Sequence, residues 1–178
     1  TEGSDSNSGN NINEPFLTIA QALSVASNGD IINVSAGTFT ETCPLVVPRG
    51  VTIKGAGLRA TAIKPSEATK QEDIFHLNDI STIEDITVRD SFYDSSNDTG
   101  YAFAYAPGIA ITTRSPYIQR VTVLNFGSNQ TSDDPYGYDS ADSPPTSYIA
   151  GRGAKFDGSV VASNSLEAGM LFNEVTFF

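Results

Sequence analysis

The apolar and polar positions divide the chain into a polar opening, one short helix and a long series of brief strands. Thr1 to Glu14, TEGSDSNSGNNINE, has Ile12 as its one apolar residue and predicts an arm or linker over residues 1–14. In the segment 15–29 the pattern changes. Ile19, Ala22, Leu23 and Ala26 fall at i, i+3, i+4 and i+7, one face of a helix. Thr18 and Gln21 have the spacing of a capping box, and Asn28-Gly29 supplies a left-handed stop, so a helix is expected at roughly residues 18–28. A helix this short needs a partner surface, and the open end of the β-structure that follows is the expected one.

Next come Ile31–Val34, Leu45–Val47, Val51–Lys54 and Ala62–Lys64, separated by turns at Ser35-Ala36-Gly37, Pro48-Arg49-Gly50 and Gly55-Ala56-Gly57. These runs are too short for sandwich strands and suit the faces of a coil. Internal repeats support that reading. Ile83-Glu84-Asp85-Ile86-Thr87-Val88 matches Ile118-Gln119-Arg120-Val121-Thr122-Val123 at an offset of 35 residues, and Phe172-Asn173-Glu174-Val175-Thr176-Phe177 follows 54 residues later. Extended backwards, the match sets Ile74 on Ile109 and His76 on Ile111, and it aligns Val51-Thr52-Ile53 with the triplet ending at Val88. Strands repeating this way run parallel, with the apolar pair of each triplet inward and the threonine outward. The expected fold is all-β: a right-handed parallel β-helix, or solenoid, over residues 30–178, with the helix lidding its first rung.

Two insertions interrupt the rungs, at about residues 90–107 and 127–152, and both mix carboxylates with tyrosines. Loops of this length in a compact coil carry function or pack on a neighbour. Tyr93, Tyr101, Tyr105, Tyr136, Tyr138 and Tyr148, with Asp133 and Asp134, are the candidates for stacking on sugars or on a partner chain. The chain begins at Thr1 and ends inside the apolar run NEVTFF, which predicts a processed or partial chain with further rungs beyond it.

Charge narrows the partners. A net charge of −11 over 178 residues argues against nucleic acid and against an anionic membrane surface. No apolar run is long enough for a helical membrane span. The single cysteine, Cys43, enters an apolar run and is expected to be a small buried side chain. His76, the one histidine, is expected to be satisfied on or near the core. Asp5, Asn7 and Gly9 alternate as half of a calcium loop without its closing glutamate; the expectation is a flexible acidic turn and no cofactor, calcium being the one metal the pattern leaves open.

The order PFLTIAQAL, GDIINVSAGTFTE, LVVPRGVTIKGAG and TAIKP, from Pro15 to Pro65, resembles the first rungs of pectin lyase-like right-handed parallel β-helices. It is especially similar to the opening of pectin methylesterases, and more so to structural proteins of marine, T4-like cyanobacterial phages. That group includes lyases, hydrolases, esterases, tailspikes and inert adhesins, so the resemblance implies fold more than activity.

The catalytic patterns of the enzymes are incomplete. Lys155-Phe156-Asp157-Gly158 lacks the flanks of the esterase aspartate strand, and Gln119 and Gln130 are out of the matching context. The pair Asp133-Asp134 lies in a Pro/Gly/Ser-rich loop and not on a rung. Arg114-Ser115-Pro116-Tyr117-Ile118-Gln119-Arg120 has one residue too many for the lyase R-x-P-x-x-R. The expectation is a non-enzymatic structural or receptor-binding component of a virion, in a tail, neck or surface fibre. Its partners are other copies of itself, other virion proteins and a host cell-surface glycan. The alternatives are a carbohydrate-active enzyme on an acidic polysaccharide and an extracellular or cell-surface adhesin.

Overall fold

The computed structural model describes residues 2–94, 96–106, 115–124, 152–154 and 170–177. Among the described residues it is mostly β, with one short α-helix, α1 (Ile19–Val25), and a single 3-10 turn at Glu67–Thr69. The chain alternates between two sheets. The larger holds β1 (Ile31–Val34), β2 (Gly37–Glu41), β4 (Thr52–Gly55), β5 (Thr61–Pro65), β7 (Thr82–Arg89), β9 (Tyr117–Leu124) and β11 (Leu171–Phe177). The smaller holds β3 (Leu45–Val47), β6 (Phe75–Leu77), β8 (Tyr101–Tyr105) and β10 (Arg152–Ala154). Every pairing of these strands is parallel.

Side chains alternate as strand geometry requires. Ile53, Ile83 and Ile118 stack in register and are fully buried, with Phe172 above them. Leu45, Phe75 and Phe103 form the matching column of the smaller sheet, the two rings stacked at 6.0 Å. Thr87 faces out and donates its hydroxyl to Leu58 O.

The repeat from β7 through β11 matches the register: Ile83 pairs Ile118, and Phe172 pairs Ile118 in turn. Its backward extension does not. Val51-Thr52-Ile53 was expected on the triplet ending at Val88, yet Thr52 pairs Thr82 and Ile53 pairs Ile83, while Ile63 pairs Val88. The cause lies in the corner. β7 spans both pairings in one eight-residue strand, bent by the left-handed Asp85 (φ 59°), whereas the chain it pairs with uses two strands, β4 and β5, with a glycine-bearing loop between them. His76 pairs Ala104 rather than Ile111, because the smaller sheet is spaced by the loops on its own side; Ile109 and Ile111 lie outside the described residues.

Three further expectations change. The arm is folded: Ser4 N and Asn7 Nδ2 bond Pro15 O, Gly9 N bonds Glu14 O, and Gly3 and Gly9 close over Phe16, where any Cβ would collide. α1 stops at Val25, with Ala26 already extended, and the left-handed Gly29 serves the turn into β1 instead. Only half of the capping box forms. Thr18 Oγ1 accepts from Gln21 N at 3.1 Å, but Thr18 N donates to Asp5 Oδ1 at 2.9 Å, so Asp5 takes the role expected of Gln21. The helix face is as expected, with Ile19 and Leu23 buried against the first strands.

Candidate functional site

Two polar regions on the surface of the sheets gather chemistry-bearing side chains. The first runs along the outer face of the larger sheet. Register places Lys54, Glu84, Gln119 and Asn173 in one column. Beside it the corner residues Asp85, Arg120 and Glu174, all left-handed at φ 59°, 48° and 54°, recur on successive strands. Arg120 grips Asp85 with two bonds, Nε to Oδ1 at 2.6 Å and Nη2 to Oδ2 at 2.9 Å, and reaches Glu84 Oε2 at 3.0 Å. Lys54 Nζ lies 2.9 Å from Glu84 Oε1, and Gln119 Nε2 donates to Glu84 Oε2.

The electrostatics follow from this crowd of donors. Partial burial pushes the Glu84 carboxyl up, but Lys54, Gln119 and Arg120 together outweigh it and hold it below the usual range. The bonds from Arg120 hold Asp85 low, against a smaller upward pull from burial. Both are carboxylates at neutral pH with their oxygens engaged. This arrangement clips β4, β7 and β9 together; it is not poised to donate a proton.

The second region is the insertion after β7. Asp94 and Thr99 form an antiparallel bridge that closes a small hairpin. Asp94 is held below the usual carboxylate range by the Ser96 amide and the Asn97 side chain. Tyr93 and Tyr101 meet edge to face at 5.8 Å, and both hydroxyls bond Asp98 Oδ1, at 3.0 and 2.8 Å. Phe92 lies under Lys70, 5.0 Å from the ammonium to the ring centre. The buried Asp73 anchors the insertion to the sheets. Its Oδ1 accepts from Gly100 N and Tyr101 N at 3.0 and 2.9 Å, and its Oδ2 lies 3.0 Å from His76 Nε2.

This geometry sorts the candidates. Tyr93 is half-buried on the hairpin. Tyr101 and Tyr105 were assigned to a surface loop, but they begin and end β8 and are buried, because the run Tyr101-Ala102-Phe103-Ala104-Tyr105 is apolar at every position and forms the middle of the smaller sheet. Asp133, Asp134, Tyr136, Tyr138 and Tyr148 lie outside the described residues, as do Arg114 and the Lys155–Gly158 run. His76 is satisfied by Asp73, and Cys43 is buried, its thiol pushed up to about 12 chiefly by that burial. Both oxygens of Asp5 are taken by Leu17 N, Thr18 N and Thr18 Oγ1.

A family model described as a protein of unknown function, DUF1565, matches residues 1–129. The chain belongs to that family. Neither a curated protein nor a solved structure matches it. The DUF1565 match runs from the folded arm through β9, so it takes in the helix, the Asp73-anchored hairpin and the Arg120 cluster. The cluster was missed in the sequence, although its signal was there. The 35-residue offset sets Glu84 on Gln119 and Asp85 on Arg120, which places an acid beside a base on neighbouring strands.

Proposed function

We propose that this chain is a right-handed parallel β-helix and works as a non-enzymatic structural or receptor-binding component of a virion, in a tail, neck or surface-fibre element. The observation that carries the reading is the in-register stack β1, β4, β7, β9, β11, with its interior column fully buried in β4, β7 and β9 and a self-paired ionic outer face. Stacked backbone hydrogen bonds make a stiff rod that needs no disulfide. The resemblance of Pro15–Pro65 to phage structural proteins selects the virion among the settings such a rod serves. Insertions held at fixed points on the rod, as the hairpin is by Asp73, present contacts to a neighbouring subunit, another virion protein or a host glycan. The role calls for no cofactor.

The test is the native mass of the purified protein against its denatured mass, by light scattering and mass spectrometry. A symmetric assembly of copies, or of this chain with other virion proteins, is expected. A clean monomer near 19 kDa, 18.8 kDa by sequence, overturns the reading. New reducing ends or unsaturated products from an acidic polysaccharide then establish the enzyme alternative.

A further inference from the structure

The bottom of the stack is closed by a unit that is tied to the sheets at few points. Among the described residues β1, β2 and β3 each pair on one side only, and α1 packs against all three. The helix has seven residues, of which Ile19 and Leu23 are buried. Beside it a groove of about 400 Å³ separates Ala20, Leu23 and Ser24 from Pro44, Val46 and Pro48.

Hydrogen bonding divides the same way. The arm bonds within itself and to the start of the helix: Asp5 takes Leu17 N and Thr18 N at 2.9 Å each and the Thr18 hydroxyl at 3.0 Å. Among the described residues, the hydrogen bonds joining residues 2–25 to the sheets are two, and both end on one side chain. Glu41, at the end of β2 and 3% exposed, accepts from Ile19 N at 2.9 Å through one oxygen and from Ala20 N at 3.2 Å through the other. The far end of the helix runs into an extended Ala26. Beyond it residues 27–30 form a turn fixed by Asp30 N to Ser27 O at 3.0 Å, Ser27 N to Asp30 Oδ2 at 2.8 Å and Gly29 N to Gly50 O at 3.0 Å, so a change of direction falls on Ala26.

The geometry points to residues 2–25 as one hinged cap, latched by Glu41, that swings off about Ala26 while the 27–30 turn and both sheets stay folded. The arm moves with the helix because its bonds are to the helix. What the motion uncovers is the apolar face of the helix, Ile19 and Leu23, and the core it covers. This inference goes beyond the virion reading and does not depend on it.

Hydrogen exchange read by mass spectrometry on the intact protein at neutral pH tests it. In the wild type, α1 amides are expected to exchange about 10-fold or more faster than those of β7 and β9, with a weaker dependence on denaturant, as local opening exposes less surface than unfolding. Glu41→Ala is expected to speed residues 2–25 by about a further 10-fold and to leave β7 and β9 unchanged. Equal rates and equal denaturant dependence for α1 and β7 in the wild type overturn the hinged cap, and this measurement stands even where the variant fails to fold. A Glu41→Ala protein in which all elements speed up alike overturns the latch.

Discussion

The segment of residues 52–65 and the segment of residues 82–89 bury side chains in the same columns but turn their outer corner differently. In the lower segment, β4 ends at Gly55, a loop follows, and β5 begins at Thr61. Gly57 N donates to Asp85 O at 3.1 Å, and Gly55 lies so close under Asp85 O and Ile86 that a Cβ would overlap them. In the upper segment the turn is a single left-handed residue, Asp85, repeated by Arg120 one strand on. The lower corner meets the need for close approach by omitting a side chain. The upper corners put charged side chains in a conformation that disfavours them, at a cost of about 1–2 kcal/mol each, and bind them to one another. A shared interior can thus be closed by a loop with glycines or by a strained residue in an ionic cluster.

If the interior is what the two segments share, removing it must hurt them alike. Ile53→Ala and Ile83→Ala, both at fully buried positions, are each expected to lose about 2–5 kcal/mol of stability in denaturant titrations, and to agree within about 1 kcal/mol. A much cheaper Ile53→Ala would mean that the lower segment is not part of the same cooperative core. The corners come next. Gly55→Ala forces a methyl against the Asp85 carbonyl and Ile86, and the expected loss is about 1–3 kcal/mol by thermal or denaturant unfolding.

Acid separates the ionic corner from the cap. Glu84 and Asp85 have depressed carboxyl pKa values, so their stabilisation is present above the unfolded values, 4.5 and 3.8, and is lost as pH falls through the folded ones. Glu41 is opposite in sign. Burial raises its pKa despite the Ile19 and Ala20 amides, with Asp5 adding to the rise. Its contribution is therefore fully present below 4.5 and declines as pH rises through the folded value. Melting temperature followed from pH 3 to 7 should show Glu84→Gln flattening the acid loss, and Glu41→Gln removing a decline on the alkaline side of it. Matching slopes in the two variants would refute the opposed signs.

The fold was legible where side chains repeat and illegible where backbone decides. Ile83-Thr87-Val88 and Ile118-Thr122-Val123 announce themselves, because stacked interior positions must be apolar at the same spacing. The pairing of Val51–Ile53 misled, since the lower segment spends extra residues on its corner and the apolar-Thr-apolar pattern cannot say which face it occupies. Gly55 and Gly57 were read as punctuation, when their purpose is the carbonyl of Asp85 above them. The arm was read as a linker from its polarity; its order comes from Asp5 capping a helix twelve residues on and from glycines that fit around Phe16, and neither leaves a periodic trace. Tyr101 and Tyr105 were taken for a surface because they follow a polar loop, yet the alanines between them fit a strand buried on both faces.

The smallest expected effect asks whether Asp85 is there for its charge or for its backbone. Asn tolerates the left-handed region and keeps one acceptor for Arg120, so Asp85→Asn removes the charge and one of the two Arg120 bonds while leaving the backbone turn in place. Because the cluster is partly solvated, that loss is expected to be no more than about 1 kcal/mol in low salt and smaller in high salt. Asp85→Val removes the charge and also places a β-branched side chain at φ 59°, which should add about 1–2 kcal/mol that salt does not touch. Unfolding of both variants at two salt concentrations separates these contributions. If Asn and Val prove equally damaging, the corner is held by charge and the left-handed turn is its consequence; if Val is worse by the same margin at both salts, the turn comes first and the ionic cluster is built upon it.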